Sequence, residues 1–257
     1  MHHPKSRGLS VHSLVLSAAA CGFAGQTIME TASGKADLFP ATACSWIDAQ
    51  LSAGSKGRAA LNQFLMRVYA EPLRAYVLGS SFRALGEADD IINGFFASRL
   101  GRDDFVPAWR SSGLRLRRWL MNAMCFYCRE LAHQSGRRAL GGEASDRPDP
   151  IAADAERDLE RSFARSAVRA AMDMAQADLT ARGLGQHFEL FRRYALDGDS
   201  CQSLAKALGI DPARAWVMIR TAQRAFSRAV SEVVAQDGAA PADVPAEITR
   251  LINTLGR

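Results

Sequence analysis

Apolar residues recur at intervals of three and four along most of this chain, a period that suits helices and not half-buried strands. Within residues 58–80 they fall at Leu61, Phe64, Leu65, Val68, Leu73 and Val77, which a 3.6-residue turn gathers on one face. Within 86–100 the set is Ile91, Ile92, Phe95 and Phe96. Ala, Arg and Leu dominate while aromatic and β-branched residues are sparse. Straight-chain residues lose little rotamer freedom in a helix, so the chain is expected to be all-α. Its 257 residues, 48% of them hydrophobic, suffice for one large helical core or two small ones.

Breakers divide the pattern. A helix over 47–52 meets Gly54-Ser-Lys-Gly57, and Pro72 should bend or split the next one, because proline lacks the N–H of the helical ladder. Residues 102–112, with Pro107 and Trp109, read as a loop before a basic, aromatic helix over 114–133. These elements make a first domain, 38–134. Residues 135–151 are rich in Gly, Ser, Asp and Arg without an apolar period, and read as a flexible linker. A second domain, 152–236, begins with a long helix stopped by Gly183 and Gly185, followed by helices over 186–195, 200–208 and 212–234. Residues 237–257 read as a hinge and a short amphipathic helix carrying Ile248, Leu251, Ile252 and Leu255.

Residues 1–37 lack periodicity and are expected to be a disordered or non-native extension, with Met29 as an alternative start. The run 11–21 follows Lys5 and Arg7 in the manner of a secretion signal. It is short, broken by His12, Ser13 and Ser17, and carries Ala18 where a lipoprotein signal wants Leu, so the reading goes against export. Five cysteines without framework spacing point to a reducing compartment, the cytoplasm. No apolar run reaches the roughly 18 residues of a membrane span.

The sharpest motif is a helix-turn-helix. Its first helix is Cys201-Gln-Ser-Leu-Ala-Lys-Ala-Leu208, its turn Gly209-Ile210-Asp211, and its second helix starts at Pro212. Asp before Pro is a specific start signal, and Ala205 is small where two helices cross. Leu204, Leu208, Ile210, Val217 and Ile219 are the expected shared core. In such a unit the second helix enters the major groove, which assigns Arg214, Trp216, Arg220, Gln223 and Arg224 to its DNA-facing side. The net charge of +5 agrees with a polyanion partner without requiring one. A second constellation, Arg115, Arg117, Arg118, Trp119, Phe126, Tyr127 and Arg129, interleaves cations with rings as a binder of unpaired DNA does. Any single ring in it is better read as core.

Linked motifs then resemble the extracytoplasmic-function sigma factors of RNA polymerase. The residues are Phe39-Pro-Ala-Thr42 with Trp46, Tyr69-Ala-Glu-Pro-Leu-Arg-Ala-Tyr76, Asp89-Asp90-Ile91 through Phe95-Phe96, and Arg115-Leu-Arg-Arg-Trp-Leu120. A short helix after the helix-turn-helix has a counterpart there as well. The resemblance runs from about residue 38 to 256 and implies a transcription initiation factor, not an enzyme. It implies that Asp89, Asp90, Asn93 and Phe96 dock on the β′ clamp helices of core RNA polymerase. It also implies that Arg115, Arg117, Arg118, Trp119, Tyr127 and Arg129 capture the melted minus-ten strand, while the helix-turn-helix reads the minus-thirty-five duplex and touches the β flap. Promoter DNA and core polymerase are the implied partners, an anti-sigma factor or other regulator is left open, and no cofactor or membrane is implied. The chain departs from the pattern at Gly94, in place of an acidic or polar residue, and at Arg129-Glu130, where Asn is frequent, so a promoter sequence does not carry over.

Three alternatives compete. Cys125 and Cys128 with His133 have the spacing of a partial metal site, but a closed zinc site needs four ligands, so buried helix cysteines are favoured. Asp89, Asp90 and Asn93 also fit the magnesium-binding helix of an isoprenoid synthase, with Asp173 and Asp178 as the only second cluster. That reading leaves the helix-turn-helix without a role. A DNA-binding regulator that never meets polymerase shares the second domain and differs on the first.

Overall fold

The computed structural model describes residues 44–134 and 150–256. The leader 1–37, the motif at 39–42 and most of the expected linker lie outside the described residues. Within them every regular element is helical: α1 Cys44–Ser52, α2 Gly54–Gly79, a 3₁₀ turn Ser81–Leu85, α3 Ala88–Leu100, α4 Phe105–Ser112, α5 Leu116–Gln134, α6 Pro150–Ala181, α7 Gly185–Arg192 with a π turn Arg193–Asp197, α8 Cys201–Leu208, α9 Pro212–Gln236 and α10 Val244–Leu255. None is long and apolar enough to cross a membrane.

The chain divides into two compact units at places the linker composition does not mark. One holds α1 to α5, the first part of α6 up to residue 167, and the short segment 235–241. The other holds the rest of α6 from residue 168, α7, α8, α9 to residue 234, and α10. This differs from the expected limits of 38–134 and 152–236, because Leu159 and Phe163 of α6 and Asp237 are buried side chains of the first unit. Apolar periodicity places a helix but does not say which core it faces.

In the first unit the core is Ile47, Leu61, Leu65, Val68, Leu73, Val77, Phe95, Leu116, Leu120, Met124 and Phe163, all fully or almost fully buried. Each is worth about 1.5–3 kcal/mol of transfer free energy. Helix α2 continues through Pro72 as one element, so the expected division does not occur. The expected loop 102–112 is largely helix α4. Pro107 is tolerated because it is the third helical residue, where the N–H has no intrahelical acceptor. The first ladder bond runs from the Ala108 N–H to the Asp104 carbonyl, 2.9 Å.

Gly57 lies where α2 turns back on α1: a Cβ there would overlap the Gln50 carbonyl oxygen and sit 2.8 Å from the Ala53 Cβ. Backbone cannot swing aside as a flexible side chain can. Gly57→Ala is therefore expected to destabilise the chain by about 1–3 kcal/mol, read as a lower urea midpoint, although alanine is the better helix former.

In the second unit Leu179, Phe188, Phe191, Leu204, Ile219, Phe226, Val230, Leu251 and Ile252 form the core, with Phe191 tilted against Phe226 at 5.7 Å. Helix α6 ends as the glycines predict. Gly183 takes φ +71°, its N–H reaches the Thr180 carbonyl, and the Leu184 N–H reaches that of Leu179, which satisfies two of the terminal carbonyls.

Candidate nucleic-acid interface

The helix-turn-helix is built from its caps. The Ser200 hydroxyl accepts the Ser203 N–H at 3.1 Å and starts α8. Helix α8 ends on Gly209, which adopts φ +63°, with the Gly209 N–H on the Lys206 carbonyl and the Ile210 N–H on that of Ala205. Asp211 then accepts the Ala213 N–H at 2.7 Å and opens α9. The turn is thus fixed at both ends by local bonds, and a residue with a side chain at 209 would be strained.

Leu204, Ala205, Met218 and Ile219 are buried here. Two expected core residues are not: Leu208 is exposed, and Val217 is 62% exposed. Along α9 the buried positions are Ala215, Met218, Ile219, Ala222, Ala225, Phe226, Ala229 and Val230, and Val217 falls on the opposite side of the helix. The outward stripe is Arg214, Val217, Arg220, Thr221 and Arg224, exposed or half-buried throughout. Trp216 is also exposed; its ring meets Tyr194 edge-on at 6.0 Å and lies under the Arg220 guanidinium at 5.9 Å. Gln223, expected on the DNA side, is only 6% exposed, because it lies one turn from both Ile219 and Phe226 on the core face. Arginines with a valine between them suit phosphate and guanine contacts beside a thymine methyl group.

Helix α5 sorts its basic and aromatic residues in the same way. Arg118, Phe126 and Arg129 face outward; Phe126 is 61% exposed and the Arg129 guanidinium lies 6.0 Å from its ring centre. Arg118 pairs with Glu156 at 2.8 Å, and Arg115 is half-buried. Three expected contacts of a melted strand turn inward instead. Trp119 packs against Phe105 at 6.2 Å and lines a small apolar gap with Leu61 and Leu65. Tyr127 is half-buried, edge-on to Phe95 and under the Arg99 guanidinium. A Cβ at Gly94 would overlap its hydroxyl, so the glycine that departs from the family pattern is the one that admits this ring.

Arg117 is the third. It is 4% exposed, with its guanidinium 4.9 Å from the centre of the Phe163 ring, paired with Glu160 at 2.9 Å and with Asp237. Asp237, 1% exposed, also accepts the Tyr69 hydroxyl and the Arg117 N–H, each at 2.9 Å. Burial pushes its carboxyl up to about 6, against the pull of the Arg117 guanidinium and N–H and of the Tyr69 hydroxyl. Burial likewise raises the Tyr69 hydroxyl well above its ordinary value. Asp237 thus faces the Arg117 guanidinium at a buried position.

On α3, Asp89, Asp90 and Asn93 are exposed, with Asp89 held by Arg74 at 2.8 Å. Phe96, expected to dock on a partner, is 3% exposed and packs on Phe95, because it continues the core row of Ile92. Cys128 is fully buried and its thiol is pushed up to about 12 by burial. Cys125, whose Sγ lies 3.0 Å from the Tyr76 hydroxyl, is raised for the same reason. Raised thiols are poor nucleophiles at neutral pH. Among the described residues no three of His, Cys, Asp and Glu gather as a metal site. Comparison with protein-family models, with characterised proteins and with solved structures gives no match to this chain.

Proposed function

We propose that this protein is a transcription initiation factor of the extracytoplasmic-function sigma type, which binds core RNA polymerase and directs it to promoters. The observation that carries the proposal is the α8–α9 unit: a turn fixed by Gly209 and Asp211 presents Arg214, Val217, Arg220 and Arg224 together on one outward stripe. A stripe of that composition at the start of the second helix is what major-groove reading uses. The exposed acids of α3 supply the charge for docking on polymerase, and Arg118, Phe126 and Arg129 supply cations and a ring for an unpaired strand.

The inward turn of Arg117 and Trp119 favours a second reading, a helix-turn-helix regulator that does not engage polymerase. Co-elution with core polymerase, followed by run-off transcription on genomic fragments, separates the two. Reversal of Asp89 and Asp90 to lysine should abolish core binding with a native circular dichroism spectrum, since the pair with Arg74 is exposed and contributes about 0–1 kcal/mol. Undiminished core binding by that variant removes α3 as the docking helix. A wild-type chain that shifts duplex DNA and never co-elutes with core is a regulator.

A further inference from the structure

Helix α5 has an outward side on which an exposed ring lies between opposite charges. Phe126, Arg129, Glu130 and His133 are all exposed, and their spacing gathers them on one side of the helix, away from the buried arc through Met121, Met124 and Cys128. Phe126 is the most exposed ring there, at 61%. The Arg129 guanidinium lies 6.0 Å from its centre, and helix geometry puts Glu130 on the other flank of Phe126. Glu130 is not a loose surface charge. Its Oε2 accepts the Arg99 guanidinium at 2.8 Å, and the Arg99 side chain is only 14% exposed and stands 5.8 Å from the Tyr127 ring centre. The carboxylate is thus anchored from two helices, α3 through Arg99 and α5 through its own backbone, with Oε1 left as an acceptor.

On a face that meets DNA a carboxylate opposes backbone binding, because it repels the phosphates that neighbouring cations attract. What it attracts is a hydrogen-bond donor, and the donors of a nucleotide lie on its base. Cytosine, adenine and guanine carry an exocyclic amino group. Thymine has only its N3–H, set between two carbonyl oxygens that a carboxylate repels. Phe126 supplies a surface for a stacked base, and a base lying there turns its edge toward the side chains that flank the ring.

We propose that Glu130 is a specificity-determining residue of α5: it accepts a hydrogen bond from the amino group of an unpaired base stacked on Phe126, and so selects an amino-bearing base against thymine at that position. This rests on α5 facing unpaired DNA, as in the function proposed above. Arg129, on the opposite flank of the ring, is left for a phosphate. Removing the carboxylate must therefore raise affinity for thymine and erase the preference, whereas loss of a merely structural contact lowers affinity for every base alike.

The test is fluorescence anisotropy of labelled oligo(dC) and oligo(dT) of equal length, at a mildly alkaline pH where cytosine stays unprotonated, with a gel shift of promoter-containing duplex run in parallel. The wild-type chain is expected to bind oligo(dC) about tenfold more tightly than oligo(dT). Glu130→Gln keeps the shape, removes the charge and adds a donor; the ratio should fall to about one, through a gain on oligo(dT). Phe126→Ala should weaken binding of both strands about tenfold. A wild-type chain that binds the two strands alike overturns the proposal without recourse to any variant. So does a preference for oligo(dC) that persists in Glu130→Gln with a native circular dichroism spectrum, or a Phe126→Ala chain that binds both strands as wild type does. Binding of neither strand by wild type, with the duplex still shifted, is a different failure: α5 does not face unpaired DNA, and the selection falls with that reading.

Discussion

Replacing Arg117 with leucine is expected to destabilise the chain by about 3–5 kcal/mol, the range found when one partner of a buried ion pair is removed. Asp237 would remain 1% exposed with only the Tyr69 hydroxyl and a backbone N–H against its charge. The loss should narrow as the pH falls. Burial already pushes the folded carboxyl up to about 6 from an ordinary 3.8, and losing the guanidinium, which pulls it down, moves it higher. Between the two values the folded state takes up a proton that the unfolded chain does not yet bind, so acid favours the folded variant. Arg117→Leu combined with Asp237→Leu should recover most of the loss, because no buried charge is left unmatched. Urea midpoints of the two singles and the double form a cycle. Additive losses would mean that the two side chains are not coupled, contrary to the hydrogen bonds that join them.

That pair also marks where sequence reasoning stops. Local signals were readable: Gly209 and Gly183 end their helices, Asp211 caps α9, and Ile91, Ile92, Phe95 and Phe96 form one buried row. Each depends on residues within a turn or two of each other. Arg117 and Asp237 lie 120 positions apart, and Tyr69 and Asp237 lie 168 apart. No spacing rule connects such residues, so Arg117 reads as one more surface arginine and Asp237 as the edge of a hinge. The Pro107 segment was misread for a different reason: a proline inside the first helical turn breaks nothing, and Trp109 anchors that helix through a 2.8 Å bond to the Leu114 carbonyl.

Helix periodicity alone places several of the other residues. On α9 the buried arc through Ala215, Met218, Ile219, Ala222, Ala225, Phe226 and Ala229 leaves Val217 outside and brings Gln223 inside. Position on the helix, not residue type, decides which of the two is buried. On α5 the arc through Leu116, Leu120, Met121, Met124 and Cys128 leaves Phe126 as the exposed ring. Phe96, a docking residue by resemblance, lies in the core row of Ile92. The aromatic that can meet a ligand is the one that interrupts the apolar period.

The outward stripe of α9 carries the other large effect. On the proposed DNA-binding function, removing Arg214, Arg220 and Arg224 together should abolish specific duplex binding at physiological salt, because each guanidinium would take a phosphate or base contact with it. The single changes separate the two roles. An arginine that holds a phosphate, when replaced by alanine, should weaken binding evenly across sequences and lower the slope of log affinity against log salt by about one. One that reads a guanine edge should cost about 1–3 kcal/mol and relax preference at one base pair. Arg220 is the candidate for the second role: it lies beside Val217, with its guanidinium 5.9 Å from the Trp216 ring centre. Arg224, a full turn further along α9, is the candidate for the first. Gln223→Ala should leave both salt slope and base preference as they are and instead lower stability, since its side chain is buried. Should Gln223→Ala change base preference while Arg220→Ala does not, the face of α9 that meets DNA is the wrong one, and the helix must approach the groove from the side that its apolar residues now cover.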